Sequence, residues 1–363
     1  MLLYIADGLS DEREGSVVDY FELRYVDYSL TDDERAVREA IRDFLKSECQ
    51  PARVRAAEPL GYDAKLWRQL AEMGVASMGL PESAGGDGAG LVNLVIVADE
   101  AGAALAPVPL AEHVAAARAL AASDSPTAQQ LVSAAATRPL TLASRPGLGT
   151  QLVPGGAVAR DVIVLEGEEL MLVHAEEAPP LIPNQGSTPL ARWDLSAGSR
   201  TVLRAGPEAA ATYETARAEW KLLTAAALTG LTERALSVAV EFTKTRETLG
   251  VPVGSLQGVS FPLADVQIGV SGARNLVRKA AWYADNEPGT RPELISAAFA
   301  YAAQVATHGA TTAAHMQGGL GFTAEADASL YFLRAKGWSV LSGDPARDVI
   351  AVGDALLAGA TAR

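Results

Sequence analysis

The residues that could do chemistry fall in two short stretches. In the first, HMQGGLGFT at residues 315–323, a helical run of small residues stops at Gly318 and Gly319, with Gly321, Phe322 and Thr323 close behind. A glycine pair can simply cap a helix C-terminus. It can also remove two Cβ atoms so that a ligand reaches the backbone. A metal box is disfavoured, because no second histidine or carboxylate pair accompanies His315. In the second stretch, TRETLGVPVGSLQ at residues 245–257, Arg246 follows an apolar helix face and precedes a Gly-Val-Pro turn. A guanidinium is suited to forked contact with a diphosphate. A cation at a helix C-terminus is equally favoured by the helix dipole.

The elements that must carry these stretches follow from periodicity. Residues 1–28 have mixed polarity and no clear period, and read as an N-terminal extension. Acidic residues follow its very short apolar start, which does not fit a signal peptide. Thr31 and Glu34 have the spacing of a capping box, and Val37, Ile41, Phe44 and Leu45 fall on one face of the helix it starts. Leu66, Leu70 and Met73 make a second stripe that stops at Gly74. A loop with Pro81, Gly85, Gly86 and Gly88 leads back to helix over 89–122, so 29–134 reads as a helical domain. A small β domain is expected over 135–206, with a hairpin pairing 162–165 with 170–173 and a further strand at TVLRAG. From 207 to 363 the period returns to 3.6, and four long helices with short connections predict an up-down bundle, its second helix interrupted by Pro262.

Bulk composition narrows the partners. The formal net charge of −14 argues against nucleic acid, so any polyanionic ligand must be held by local Arg, Lys or helix N-termini. One cysteine, Cys49, excludes a disulfide framework or a zinc box and fits a reducing cytoplasm; it reads as a spare residue near a helix end. No apolar run reaches the length of a membrane span.

Together with LWRQLAEMGVASMGLPESAGGDG at residues 66–88, the two stretches resemble the acyl-CoA dehydrogenase family. RETLGVPVGSLQGVSFPLADV is similar to its R-x-x-F/L-G-x-P-I-x-x-x-Q-x-x-x-x-x-L-A-D/E-M pattern, and HMQGGLGFTAE to its Q-x-x-G-G-x-G-F-T-x-E. The resemblance covers about residues 29–355, with the anchors in order. It implies a mainly α fold: an N-terminal helical domain, a middle β-barrel-like domain and a C-terminal four-helix bundle. It also implies FAD, lying between the β domain of one subunit and the bundle of its neighbour. Carried over by position, Arg246 would meet the FAD diphosphate across the subunit boundary with support from Thr248. Gln257, Gly318 and Gly319 would hold the adenosine-diphosphate end, and His315 stands at the family's glutamine. The implied partners are an acyl-CoA and an electron-transfer flavoprotein or similar acceptor.

Three departures from the family shape the functional expectation. The reaction removes a proton α to a thioester carbonyl and needs a carboxylate raised in pKa by burial. The usual position of that glutamate is Ser342, followed by Gly343 and Asp344. The position used by other members, on the first bundle helix, is Trp220, with Glu219 adjacent. Glu219 and Asp344 remain as candidate bases, Glu219 reading more readily as a solvated helix residue. In the β domain the family's T-E-P-G-A-G-S-D becomes SRPGLGTQ. Ser144 keeps a hydroxyl, Arg145 replaces the acid and Gln151 the aspartate, and the strand that covers one flavin face is not recognisable near 162–173. The β unit is also short between 150 and 195. Bundle-side contacts are thus kept while the β-side contacts and the base are eroded. That pattern resembles the short subunit of bacterial heteromeric acyl-CoA dehydrogenases acting on steroid side chains and related bulky acyl-CoAs, where a longer paralogous subunit carries the base. A self-sufficient homo-oligomer using Glu219 or Asp344, a flavin-dependent oxidase, and a scaffold without flavin are the alternatives.

Overall fold

The computed structural model describes residues 27–361 apart from 124–127, 129–130, 133–136 and 342–343. Most of the N-terminal extension, and Ser342, lie outside the described residues.

Helix α1 (Asp32–Glu48) begins at the expected box: the Glu34 backbone N–H donates to the Thr31 hydroxyl at 3.2 Å, and the Thr31 N–H donates to the Glu34 carboxylate at 2.8 Å. Helices α2 (Pro51–Ala56), α3 (Ala64–Glu72), α4 (Leu91–Ala103) and α5 (Leu110–Ala121) follow in the helical domain. The bundle helices are α6 (Pro207–Thr245), α7 (Gln257–Asn286), α8 (Glu293–Met316) and α9 (Asp327–Trp338), with α10 (Ala346–Thr361) beyond them. Helix α7 runs through Pro262 in its second turn. Helix α6 packs most extensively against α4 and α8, which explains its apolar surface on several sides. Its approach to α4 is set by glycine: a Cβ on Gly102 would fall 1.9 Å from the Ala227 carbonyl oxygen, and one on Gly230 1.8 Å from that of Asp99.

The middle region holds strands β1 (Thr141–Leu142), β2 (Thr150–Val153), β3 (Asp161–Glu166), β4 (Glu169–His174), β5 (Ala191–Asp194) and β6 (Ser199–Ala205). The hairpin pairs Val162 with Val173 and Leu165 with Leu170, as its alternation requires. The expected barrel-like enclosure is not formed among the described residues. Instead there is a four-stranded sheet of order β1-β3-β4-β6 and a separate β2-β5 ribbon. An edge strand of two residues offers too short a ladder for closure. The sheet is covered on both faces. Ile163, Leu165, Leu170 and Leu172 share a core with α5 and with Tyr213 and Trp220 of α6, whereas Val162, Val164 and Val173 pack with Trp193 of the ribbon.

His113 of α5 joins the helical and β domains. Its Nδ1 accepts the Leu140 backbone N–H at 3.1 Å, so the ring is neutral and Nε2 donates to the Ala76 carbonyl at 3.1 Å. Burial holds its pKa down at about 4. Below the unfolded value near 6.5 the unfolded chain binds a proton that the folded ring refuses. Stability is therefore expected to be full above pH 6.5 and to fall by about 3 kcal/mol as pH drops to 4. Denaturant midpoints across that range should show this slope, and His113→Gln should flatten it.

Candidate functional site

The bundle alternates in direction, so the C-terminus of α6, the N-terminus of α7 and the C-terminus of α8 share one end. That end gathers the nucleotide candidates. Arg246 is the exposed C-cap of α6; its N–H donates to the Phe242 carbonyl at 2.9 Å, and its carbonyl accepts from Val253 at 2.8 Å. Thr248 is exposed in the short hairpin of β7 (Glu247–Thr248) and β8 (Val251–Pro252), and Gln257 is exposed at the first position of α7. His315 is exposed in the last turn of α8. The helix ends at Gln317, and the glycines divide by task. Gly318 takes a φ of +62°, and neither it nor Gly319 has any atom within 4 Å of where a Cβ would stand. A Cβ on Gly321 would instead strike the Ala314 carbonyl oxygen at 2.1 Å. Gly321 thus serves packing, Gly318 serves the backbone turn, and the pair together presents bare backbone to open space. Backbone that a ligand can approach without meeting a Cβ, together with one exposed guanidinium, fits the diphosphate of a dinucleotide.

The remaining candidates lie far from this end. Ser144 borders a small cavity with Glu112, Arg217 and Trp220. Trp220 is 6% exposed and stacks obliquely on Phe299 at 6.4 Å between ring centroids. Gln151 turns inward and donates to the carbonyls of Arg145 at 3.2 Å and Gly147 at 3.0 Å, so it braces the 144–149 turn. Glu219 is not a solvated helix residue. It is 6% exposed, and both its oxygens are taken by the Arg118 guanidinium at 2.9 and 3.0 Å, because that face of α6 turns toward α5. Asp344 is exposed and accepts the Ala346 N–H at 2.9 Å at the start of α10, without the burial that a base for this proton requires. Along α6, Trp220 and Arg246 stand about 39 Å apart at a rise of ~1.5 Å per residue. The two sets of residues therefore cannot serve one dinucleotide from a single chain.

Among the buried ionisable side chains that escaped the sequence reading, Glu112 and Arg334 border the same cavity. Glu112, in the first turn of α5, is 8% exposed, and burial pushes its carboxyl pKa up, opposed by its own backbone N–H and by Trp220, whose indole N–H approaches without the geometry of a formed hydrogen bond. Arg334 of α9 is 2% exposed and donates through Nη2 to Glu58 at 2.9 Å. Neither carried a signal: a glutamate in a first turn and an arginine inside a helix are ordinary surface choices.

Residues 31–135 match the family model "Acyl-CoA dehydrogenase, N-terminal domain" and residues 215–357 match "Acyl-CoA dehydrogenase, C-terminal domain". The chain is 31% identical over 327 residues to acyl-CoA dehydrogenase IpdE2 of Mycolicibacterium smegmatis, covering 87% of this chain and 96% of that one. It is 30% identical to acyl-CoA dehydrogenase FadE27 of Mycobacterium tuberculosis, over 86% of this chain and 93% of the relative. Among solved structures it superposes on a chain of the ChsE4-ChsE5 complex from Mycobacterium tuberculosis with a TM-score of 0.81 at 28% identity, covering 92% of this chain and 99% of that chain. A chain from a variant of the Tcur3481-Tcur3483 steroid ACAD gives 0.82 at 26% identity, covering 91% and 99%.

Proposed function

The chain belongs to the acyl-CoA dehydrogenase family, and from that premise we propose that it is the accessory subunit of a heteromeric enzyme. The family consists of FAD-dependent acyl-CoA oxidoreductases, and the bound flavin supplies the two-electron acceptor for α,β-desaturation. The observation that carries the reading is the division along α6. An open end with an exposed guanidinium at Arg246 and bare backbone at Gly318–Gly319 suits a dinucleotide, whereas the N-terminal half of α6 places a buried tryptophan and an ion-paired glutamate where a base is needed. In this reading Arg246 and Thr248 face the diphosphate of FAD seated on the partner. Gln257, His315 and the bare backbone at Gly318–Gly319 hold the adenosine-diphosphate end. The bound chain also keeps water from the pyrophosphate.

The partner is a longer paralogous subunit that carries the glutamate base, and the acyl group is bulky, of the steroid side-chain type. The likeness to chains of the ChsE4-ChsE5 complex and of the steroid ACAD supports both assignments. The exposed apolar side chains near the open end also support a docked chain: Leu249 is 92% exposed, and Phe261 and Ile268, two turns apart on α7, present one apolar face. An electron-transfer flavoprotein or similar acceptor reoxidises the flavin.

Desaturation of a steroid side-chain acyl-CoA with an artificial acceptor tests the assignment. Activity is expected only when this chain is combined with the paralogue, and turnover by this chain alone would overturn it.

A further inference from the structure

The chain leaves the Gly318–Gly319 turn through residues 323–326 before α9 begins at Asp327. Ala324 and Glu325 are exposed, and the passage closes few bonds of its own. The Thr323 N–H donates to the Leu320 carbonyl at 2.9 Å, and the Ala326 N–H to that of Thr323 at 3.3 Å. No side chain caps the start of α9. Such a stretch, left to itself, samples many backbone states, and a ligand bound on the turn would have to remove them.

Arg55, in the last turn of α2, removes that freedom beforehand. Its Nη1 donates to Asp327 Oδ1 at 2.9 Å, and the N–H groups of Nη2 are shared among the carbonyls of Ala324, Glu325 and Ala326 at 3.1, 3.3 and 3.1 Å. Helix electrostatics do not explain a cation here, because the N-terminus of α9 is the end that disfavours one. The acceptors explain it: a planar fork spans successive carbonyls and a carboxylate together, which a point-like ammonium does not. The support behind Arg55 is firm. Val54 beside it is buried, and Arg53 ties α2 to Glu48 and Asp63 at 2.6 Å each. Two turns further along α9, Nη2 of Arg334 donates to Glu58 at 2.9 Å, with Nη1 left open.

We propose that Arg55 is a positioning residue for the nucleotide end. It holds the chain leaving the glycine turn, so that the bare backbone of Gly318 and Gly319 keeps one conformation before a ligand arrives. The proposal rests on the functional reading in taking that ligand to be FAD.

The test measures FAD affinity by equilibrium dialysis on the complex with the longer paralogue. Arg55→Met, which removes the fork, is expected to weaken FAD binding about tenfold, the effect of ordering about one residue of backbone on binding. Turnover at saturating FAD should stay at the parental rate, since Arg55 holds the turn and not the reacting atoms. Arg55→Lys keeps a cation without the fork and should fall between the two, which tests the role even if Arg55→Met fails to fold. Arg53→Met is the control. It breaks charged hydrogen bonds on the same helix but away from α9, and should lower the melting temperature with FAD affinity unchanged. A loss with Arg55→Met, a smaller one with Arg55→Lys and none with Arg53→Met support the role. Unchanged affinity in Arg55→Met, or equal losses in the Arg53 and Arg55 variants, overturn it. Arg246→Glu in the same assay separates the two readings. A loss with Arg246→Glu and none with Arg55→Met rejects the positioning role alone, whereas no loss with either rejects the FAD assignment of this end as well.

Discussion

Arg246→Glu is expected to strip FAD from the assembled complex while leaving the fold of this chain intact. The side chain is exposed at a helix end, and its backbone hydrogen bonds to Phe242 and Val253 survive any substitution except proline. Its removal should therefore change stability by no more than about 0.5 kcal/mol. Its loss to a diphosphate is much larger. Hydrogen bonds to a charged group are worth about 1.5–3 kcal/mol each, and a fork makes two, so FAD affinity should fall at least about 100-fold. Reversing the charge adds repulsion. Equilibrium dialysis of FAD against the mixed complex measures this, with the melting temperature of the flavin-free variant as the control. Arg246→Lys should fall between, because an ammonium keeps the charge but not the fork.

Breaking the Arg118–Glu219 pair from either side should cost about 1–3 kcal/mol, since each single substitution leaves the other partner's charged hydrogen-bonding groups unpaired beside a pocket that water can enter. Replacing both partners together, as Arg118→Met with Glu219→Met, should recover most of that loss. Denaturant midpoints of the two single variants and the double variant give the coupling directly. The same variants bear on the chemistry. If the pair serves only to lock α5 onto α6, the double variant assembled with its partner should desaturate substrate at the parental rate. A stable double variant without activity would return the base to Glu219.

The fold was legible where one local rule governs a segment. The Thr31–Glu34 box starts α1, and the E-G-E-E turn joins β3 to β4, because both are decided within a few residues. Closure of the β region was not legible, since it depends on how many strands meet, which composition does not encode. The candidate site divided the same way. Arg246, Gly318 and Gly319 lie at helix ends, where chain-breaking residues mark the spot. Glu219 and Glu112 lie within regular helix, where only the rotation of α6 and α5 against their neighbours decides that the first meets Arg118 and the second faces a cavity. Arg334 was invisible for the same reason: its open N–H is a property of what fails to reach it.

The central claim is that this chain completes a flavin site seated on another subunit. FAD per chain, measured with native mass on the isolated protein and on its complex with the longer paralogue, tests it most directly. The account predicts no FAD on the isolated chain and one FAD per pair of chains in the complex, lost again with Arg246→Glu. One FAD per chain in the isolated protein would contradict it.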